Sequence, residues 1–309
     1  MNAIYCEGLS KRYGQIEALK SLDLSVPRGS IFGFLGRNGA GKTTTIRLLT
    51  GLARPTGGRA WVDGVETTGA GRAGRARFGY LPEEPAFYTW MTPREYLDYV
   101  GRLFRLEERE RRRRVEELLE QVDLQSAAKR RIAGFSRGMR QRLGLAQALV
   151  HRPPVLFLDE PASALDPAGR RDVLDLIASL GGQTTVFLSS HILADVERVC
   201  DTVAVIHEGA LRLVAGREEL LARYTANVAR LEVNPAGWPL PPAFLAALGD
   251  QTWVISASLG DDNSVQVSVN DPAAARQCLL PLVIQHNVVL ERYEWLRPTL
   301  EDVFLAISE

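Results

Sequence analysis

A chain of 309 residues, 46% of them hydrophobic, is long enough to bury a substantial core, and its size favours two domains over one. Its 37 basic residues balance its 37 acidic ones, which excludes the global positive field behind sequence-independent nucleic-acid binding. The three cysteines, Cys6, Cys200 and Cys278, lie far apart with neither a CxxC pair for zinc nor an even count for a disulfide framework, so reduced thiols in the cytoplasm are expected.

The opening stretch, MNAIYCEGLSKRYG, lacks the apolar core of a signal peptide, and no run reaches the roughly 18 apolar residues of a spanning helix. Any membrane role is therefore expected through a partner. The first half alternates short apolar runs with helical patterns, which predicts an α/β domain around a largely buried sheet. "SIFGFLG", Ser30 to Gly36, reads as a buried strand. It leads into "GFLGRNGAGKTTT", where Gly36, four residues and then Gly41-Lys42-Thr43 match the phosphate-loop pattern in full. The following "TTTIRLLTGL" has helical spacing, so the amides of Gly39 to Thr43 are expected to face phosphate oxygens at a helix N-terminus. Lys42 would reach the β- and γ-phosphates and the Thr43 hydroxyl would ligate Mg²⁺. Gly69, Gly71 and Gly74 satisfy GxGxxG, but no buried strand runs into them, and a surface segment is expected there.

From about Pro85 to Ile132 the pattern is helical. Thr92 reads as an N-cap, Pro93 as the first helical residue and Glu95 as the partner in a capping box. In "EERERRRRVEELLEQV", Glu107, Glu108 and Glu110 each precede an arginine by four residues, as Arg112 and Arg113 precede Glu116 and Glu117. That is the signature of a solvated helix face rather than a nucleic-acid patch. "GFSRGMRQRLGLAQALV" then places a serine and glycines before a second helix, an arrangement suited to an anion.

"VLFLDE" and "TTVFLSS" are two further buried strands with polar carboxyl ends, where ligands collect in open α/β sheets. Asp159 at the first of these ends would hold Mg²⁺, and Glu160 beside it would polarise an attacking water. Burying unpaired carboxylates costs several kcal/mol, so both are expected to meet a cation or a proton. His191, after the second, is expected to contact a γ-phosphate, whereas His151, His207 and His286 read as ordinary surface or loop residues. After about Arg223 the order becomes strand, helix, strand, strand, helix, strand, the split βαβ pattern of ferredoxin-like domains, with a last helix from Pro298. The boundary is expected near Gly216 to Ala226. Trp238, Trp253 and Trp295 are expected to fill the core of this small domain.

Taken together, "KRYG", "GRNGAGKTT", "GYLPEE", "FSRGMRQRLGLAQAL", "VLFLDEP", "SALDP" and "SSHIL" resemble, in order, the motifs of the nucleotide-binding subunit of an ABC transporter over about Ile4 to Leu220. The resemblance implies an α/β P-loop ATPase core over residues 1–220 with an inserted helical subdomain at about 85–132, and a small α+β, ferredoxin-like accessory or regulatory domain over residues 227–309. It implies ATP and Mg²⁺ as ligands. Tyr13 would stack on adenine; Gly36, Arg37, Asn38, Gly39, Ala40, Gly41, Lys42, Thr43 and Thr44 would cradle the phosphates; Thr43, Asp159 and Glu83 would face the metal. Lys42, Glu160 and His191 would serve catalysis, and Ser136 and Gly138 would act on the ATP of a second subunit. That subunit would be a second copy or a homologue. Asp166 would lie in the loop between the two. The helical subdomain would touch a membrane-spanning permease, placing the chain on the cytoplasmic face of the cell membrane, with no nucleic acid as partner.

Two positions depart from the family's commonest pattern. Glu83 stands where glutamine is usual, and Phe135-Ser136-Arg137-Gly138-Met139 replaces Leu-Ser-Gly-Gly-Gln. The second variant and the ending "PTLEDVFLAISE" resemble the single-cassette exporter branch. Two other classes share the phosphate loop. A soluble ABC ATPase acting on nucleic acid or ribosomes usually carries long coiled-coil arms or a second cassette, and a small-molecule kinase would leave the signature loop without a role.

Overall fold

The structure, a computed structural model, describes residues 2–67, 74, 76–163, 165–223, 228–235, 238–260 and 262–296. The chain divides into two compact units with the break between Glu218 and Glu219. The GxGxxG segment apart from Gly74, most of the expected boundary's last residues and the helix from Pro298 lie outside the described residues.

In the first unit, β1 (Asn2–Tyr13) and β2 (Ile16–Pro27) form a long antiparallel pair. Strand β4 (Gly57–Val62) pairs with β1, and β5 (Val65–Glu66) completes this sheet in the order β2-β1-β4-β5. The second sheet has six strands: β3 (Ile31–Leu35), β6 (Phe78–Leu81), β7 (Val155–Asp159), β8 (Thr185–Ser190), β9 (Thr202–His207) and β10 (Ala210–Gly216). Their order is β10-β9-β3-β8-β7-β6, parallel except for β10. Every residue of β3, β7 and β8 is buried, as a parallel sheet covered on both faces requires. Phe187 lies 5.2–5.7 Å, ring to ring, from Phe32, Phe34 and Phe157, locking the three central strands. Helix α1 (Lys42–Leu49) adds Ile46 and Leu49 to a core shared with Ile4, Leu9 and Leu22 of the antiparallel sheet. That common core fixes the phosphate loop between the two sheets.

Between β6 and β7 the described elements are helical. The Thr92 cap of α2 (Pro93–Leu103) receives Glu95 N–H at 3.3 Å and gives its own N–H to Glu95 at 2.8 Å, a reciprocal capping box. On α3 (Glu108–Gln121), Arg112 pairs with Glu108, and Arg113 Nε lies 3.3 Å from Glu117. Arg111 departs from the solvated-face expectation. It is buried, and its Nε meets Asp98 of α2 at 2.5 Å instead of Glu107 one turn back. The neighbouring Arg114 likewise turns inward to the Leu149 carbonyl at 2.8 Å. These arginines join helices, which the alternation of charge along one helix does not reveal.

Helix α4 (Arg137–Leu149) is buried along Leu143, Gly144, Leu145, Ala146 and Ala148. Its small residues permit a close approach to β6. A Cβ on Gly144 would meet Leu81 Cδ1 at 2.5 Å, and one on Gly79 would meet the Ala148 carbonyl oxygen at 2.1 Å. Beyond α4 come α5 (Pro167–Ser179), α6 (Leu193–Val199) and α7 (Arg217–Arg223).

The second unit runs β11 (Val228–Val233), α8 (Pro242–Gly249), β12 (Val254–Leu259), β13 (Ser264–Val269), α9 (Pro272–Gln285) and β14 (Leu290–Trp295). Its sheet is antiparallel in the order β12-β13-β11-β14. Leu231, Phe244, Val265, Val267 and Leu279 make the core; Trp253 belongs to it, and Trp238 and Trp295 pack against it.

Because the Gly79 contact is with backbone that cannot swing away, Gly79→Ala should push α4 off the sheet and destabilise the first unit by about 1–3 kcal/mol. Urea unfolding followed by circular dichroism should show a lower midpoint; an unchanged midpoint would contradict the close packing.

Candidate active site

After β3 the chain passes through Gly36 to Gly41 and enters α1. Gly39 (φ 83°) and Gly41 (φ 108°) adopt the left-handed region that a side chain disfavours. Gly41 also lies so near β2 that a Cβ would sit 2.6 Å from the Ala18 carbonyl oxygen. No side chain caps α1, which suits a helix start reserved for an external acceptor. Lys42 folds back across the loop, and its Nζ donates to the carbonyls of Gly36 at 2.8 Å and Arg37 at 3.2 Å. It also lies 3.1 Å from Glu160 Oε1. The two side chains are 6% and 7% exposed, so this is a buried ion pair, and removing either partner would strand a charge at a cost of several kcal/mol.

The carboxyl ends of β7 and β8 supply the rest. Asp159 and Ser189 are cross-strand neighbours, and Ser189 Oγ donates to Asp159 Oδ1 at 2.7 Å. The same oxygen receives Thr43 Oγ1 at 3.2 Å. Glu160 takes a left-handed φ of 49°, rare outside glycine. The turn is held by its N–H, which donates to the Ser189 carbonyl at 3.2 Å and hydroxyl at 3.1 Å. Glu160 Oε2 receives His191 N–H at 3.3 Å and stands 2.8 Å from His191 Nδ1. Oε1 is buried beside Lys42 without hydrogen-bond alignment, a carboxylate oxygen with charge compensation and a free lone pair.

These groups face a cavity of about 310 Å³. Asn38, Gly39, Gly41, Lys42, Thr43, Thr44, Glu83, Glu160 and His191 line it, with Ala18 from β2. Of the other loop residues, Gly36 and Arg37 act through the carbonyls that hold Lys42, and Ala40 is buried behind the loop. Tyr13 is at the β1–β2 hairpin, 45% exposed with Lys11 Nζ 4.8 Å from its ring centre, and does not line the cavity. Ser136 and Gly138 are also outside the lining. Ser136 is exposed and caps α4 by accepting Met139 N–H at 3.2 Å, while Gly138 faces open space. Asp166 caps α5 by accepting Gly169 N–H at 3.2 Å. Ser189 and Ala18 are site residues that the sequence pattern did not single out; the polar ends of two buried strands were the available signal for Ser189.

Among the described residues no cluster of three or more His, Cys, Asp or Glu forms a closed metal cage. Thr43 Oγ1 and Asp159 Oδ1, with Glu83 on the cavity wall, are hard oxygen donors. They fit Mg²⁺, which takes few protein oxygens and completes its shell with phosphate and water.

A parallel sheet, a glycine loop closed by Lys42 and carboxylates at neighbouring strand ends define a P-loop nucleotide hydrolase. The family model for ABC transporters matches residues 19–163. The chain is 39% identical to the uncharacterized ABC transporter ATP-binding protein YxlF of Bacillus subtilis (strain 168), over 97% of this chain and 98% of that protein. It is 36% identical to the daunorubicin resistance ATP-binding protein DrrA3 of Streptomyces coeruleorubidus, over 99% and 96%. A solved ATP-binding subunit of an ABC transporter superposes with a TM-score of 0.65 at 30% identity, over 72% of this chain and 93% of that one. The chain belongs to the ABC transporter family as an ATP-binding subunit, an ATP hydrolase coupled to transport. This decides against a soluble ATPase acting on nucleic acid.

A second cavity, of about 360 Å³, corrects the expectation for His151. His151 lines it, stacks on Phe104 at 3.8 Å between ring centres, and places Nε2 3.0 Å from the Phe78 carbonyl oxygen. Burial pushes its pKa down to about 4, against the pull of that carbonyl. Its partners come from distant parts of the chain, so its neighbours in sequence carry no sign of them. Between pH 6.5 and about 4 the unfolded chain binds a proton at His151 that the folded chain refuses. The associated stability is complete above pH 6.5 and is lost as pH falls toward 4, on the order of 2 kcal/mol by about pH 5. His151→Phe should flatten that part of the pH dependence in urea midpoints; a variant as acid-sensitive as the wild type would contradict the assignment.

Proposed function

We propose that two such subunits, two copies or this chain and a homologue, close on two ATP molecules and drive a separate membrane-spanning permease, in the direction of export. The export reading draws on two relatives spanning nearly the whole chain. These are the daunorubicin resistance protein above and the linearmycin resistance ATP-binding protein LnrL of Bacillus subtilis (strain 168), 29% identical over 99% of this chain and 98% of that one. The permease reading draws on cbiO1 from Clostridium perfringens, part of the ABC transporter complex cbiONQ, which is 27% identical with a TM-score of 0.64 over 72% of this chain and 91% of that one. No helix among the described residues is long and apolar enough to cross a membrane, in keeping with a peripheral place on its cytoplasmic face. Residues 1–220 are assigned as the ATPase domain, with a helical subdomain at about 85–132 against the permease, and residues 227–309 as an accessory domain.

The observation that carries the mechanism is the Glu160 carboxylate held between Lys42 and His191 at the mouth of the phosphate loop. Entering phosphates supply Lys42 with a stronger acceptor, so Nζ turns from Glu160 Oε1 to the β- and γ-phosphate oxygens. Oε1 is then free to take a proton from a water attacking the γ-phosphorus, while His191 keeps Oε2 in place. As the bond from the γ-phosphorus to the bridging oxygen breaks, Lys42 balances the charge left on the β-phosphate. Mg²⁺, when bound, supplies charge neutralisation, and Thr43 and Asp159 would hold it with Glu83 alongside. Tyr13 would stack on adenine. Ser136, exposed, and half-buried Gly138 at the start of α4 would complete the other subunit's site and Asp166 would report between subunits.

Glu160→Gln should keep ATP binding and lower turnover by roughly 10²–10⁴ in a phosphate-release assay. Wild-type turnover would remove Glu160 from the role of base. Ser136→Arg should abolish hydrolysis while each subunit still binds one ATP nearly as well. A loss of binding as severe as the loss of hydrolysis would mean that the serine serves its own subunit.

A further inference from the structure

Helix α5 begins directly after Asp166, and α6 begins one residue beyond His191. Besides capping α5, Asp166 accepts Arg170 N–H on its carbonyl at 2.9 Å, so Arg170 rides on the same turn. No side chain caps α6; its approach is held by Ile192 N–H on Ser190 Oγ at 3.0 Å and by Asp195 N–H on the Ile192 carbonyl at 3.2 Å. Arg170 Nε then meets Asp195 Oδ1 at 2.6 Å, with the two side chains 29% and 5% exposed. The first turns of α5 and α6 are thereby pinned to each other. Burial pushes the Asp195 carboxyl above the ordinary carboxylate range against the pull of Arg170, and its charge also acts on Glu160 and His191. Holding α5 to α6 does not require a charge at that depth. The same two helices are joined farther along by Arg198 Nη2 and Asp175 Oδ1 at 2.7 Å, with side chains 42% and 63% exposed, an ordinary surface pair.

We propose that Arg170 and Asp195 are positioning residues for His191, fixing the start of α6 on the Asp166 turn so that the imidazole stays against Glu160. Without Arg170 the buried Asp195 carboxylate loses its cation, and it then competes with Glu160 for His191, on which its charge already acts. Glu160 Oε2 would lose the contact that aims it. Because Arg170 lies in the first turn of α5, a shift of the Asp166 turn by a second subunit would reach His191 through the same pair. This rests on the proposed roles of Glu160 as base and His191 as γ-phosphate contact.

The test is single-turnover ATP hydrolysis, with the Kd for ATP measured separately by calorimetry, on full-length wild type, Arg170→Gln, Arg170→Lys, Arg170→Gln/Asp195→Asn and Arg198→Gln, and on His191→Ala with and without Arg170→Gln. Arg170→Gln should slow hydrolysis about tenfold while the Kd changes less than about twofold. Arg170→Lys, which keeps the cation, should recover most of that loss. The double variant strands no charge, so it stays folded and should fall between the wild type and Arg170→Gln. Arg198→Gln should hydrolyse like the wild type. In the His191→Ala background Arg170→Gln should have no further effect, because the pair acts through that histidine. Wild-type hydrolysis by Arg170→Gln or by the double variant would overturn the proposal. So would an Arg198→Gln as slow as Arg170→Gln, or a tenfold loss that persists in full on top of His191→Ala. Wild-type hydrolysis by His191→Ala alone would instead overturn the role given to His191.

Discussion

A lysine and a glutamate buried against each other, Lys42 and Glu160, are the constraint on which the site depends. Neither charge can be left alone at that depth without a cost of several kcal/mol. Bringing them together requires unusual backbone on both sides. The loop turns through Gly39 and Gly41 at positive φ so that Lys42 folds back over it, and Glu160 itself adopts φ 49° beneath two hydrogen bonds to Ser189. Strained backbone of this kind persists where surrounding structure over-determines it. Here β3, β7 and β8 do so, because their phenylalanines pack ring against ring across the three strands. In the proposed mechanism the pair is replaceable: a phosphate would take over the lysine, and the glutamate it leaves is already held by His191.

Much of this was legible in the sequence because its signals are local. The phosphate loop is a pattern over consecutive residues, the Thr92–Glu95 capping box spans one turn, and the uninterrupted apolar runs of β3, β7 and β8 announce strands covered on both faces. Asp159, Glu160 and His191 could be grouped because each follows such a run. Ser189 could not be assigned a partner without the register that sets it opposite Asp159. Arg111 and His151 were misjudged for the same reason. Their environments are made by Asp98, Phe104 and Phe78, which the chain brings close only after the helices pack. The cleft that Glu83 shares with Arg137, Arg140 and Gln141 likewise joins parts of the chain far apart in sequence.

The two units differ in what they bury. The first encloses Lys42, Asp159, Glu160 and Ser189 at the ends of its central strands, a concentration of polar groups that a core tolerates only when they are mutually satisfied. The second gathers its tryptophans, Phe244 and aliphatic side chains around an antiparallel sheet, as a domain built for packing does. Among the described residues the buried charged side chains therefore belong to the first unit.

The central claim is that the cavity closed by Lys42 receives the phosphates of ATP. Calorimetric titration of ATP into Lys42→Ala, beside the wild type and with folding checked by circular dichroism, tests it most directly. Saturable binding by the wild type and a loss of at least about tenfold in the variant is the result this account predicts, since charge-assisted hydrogen bonds to phosphate are worth about that much. Equal affinity in the two proteins would contradict it.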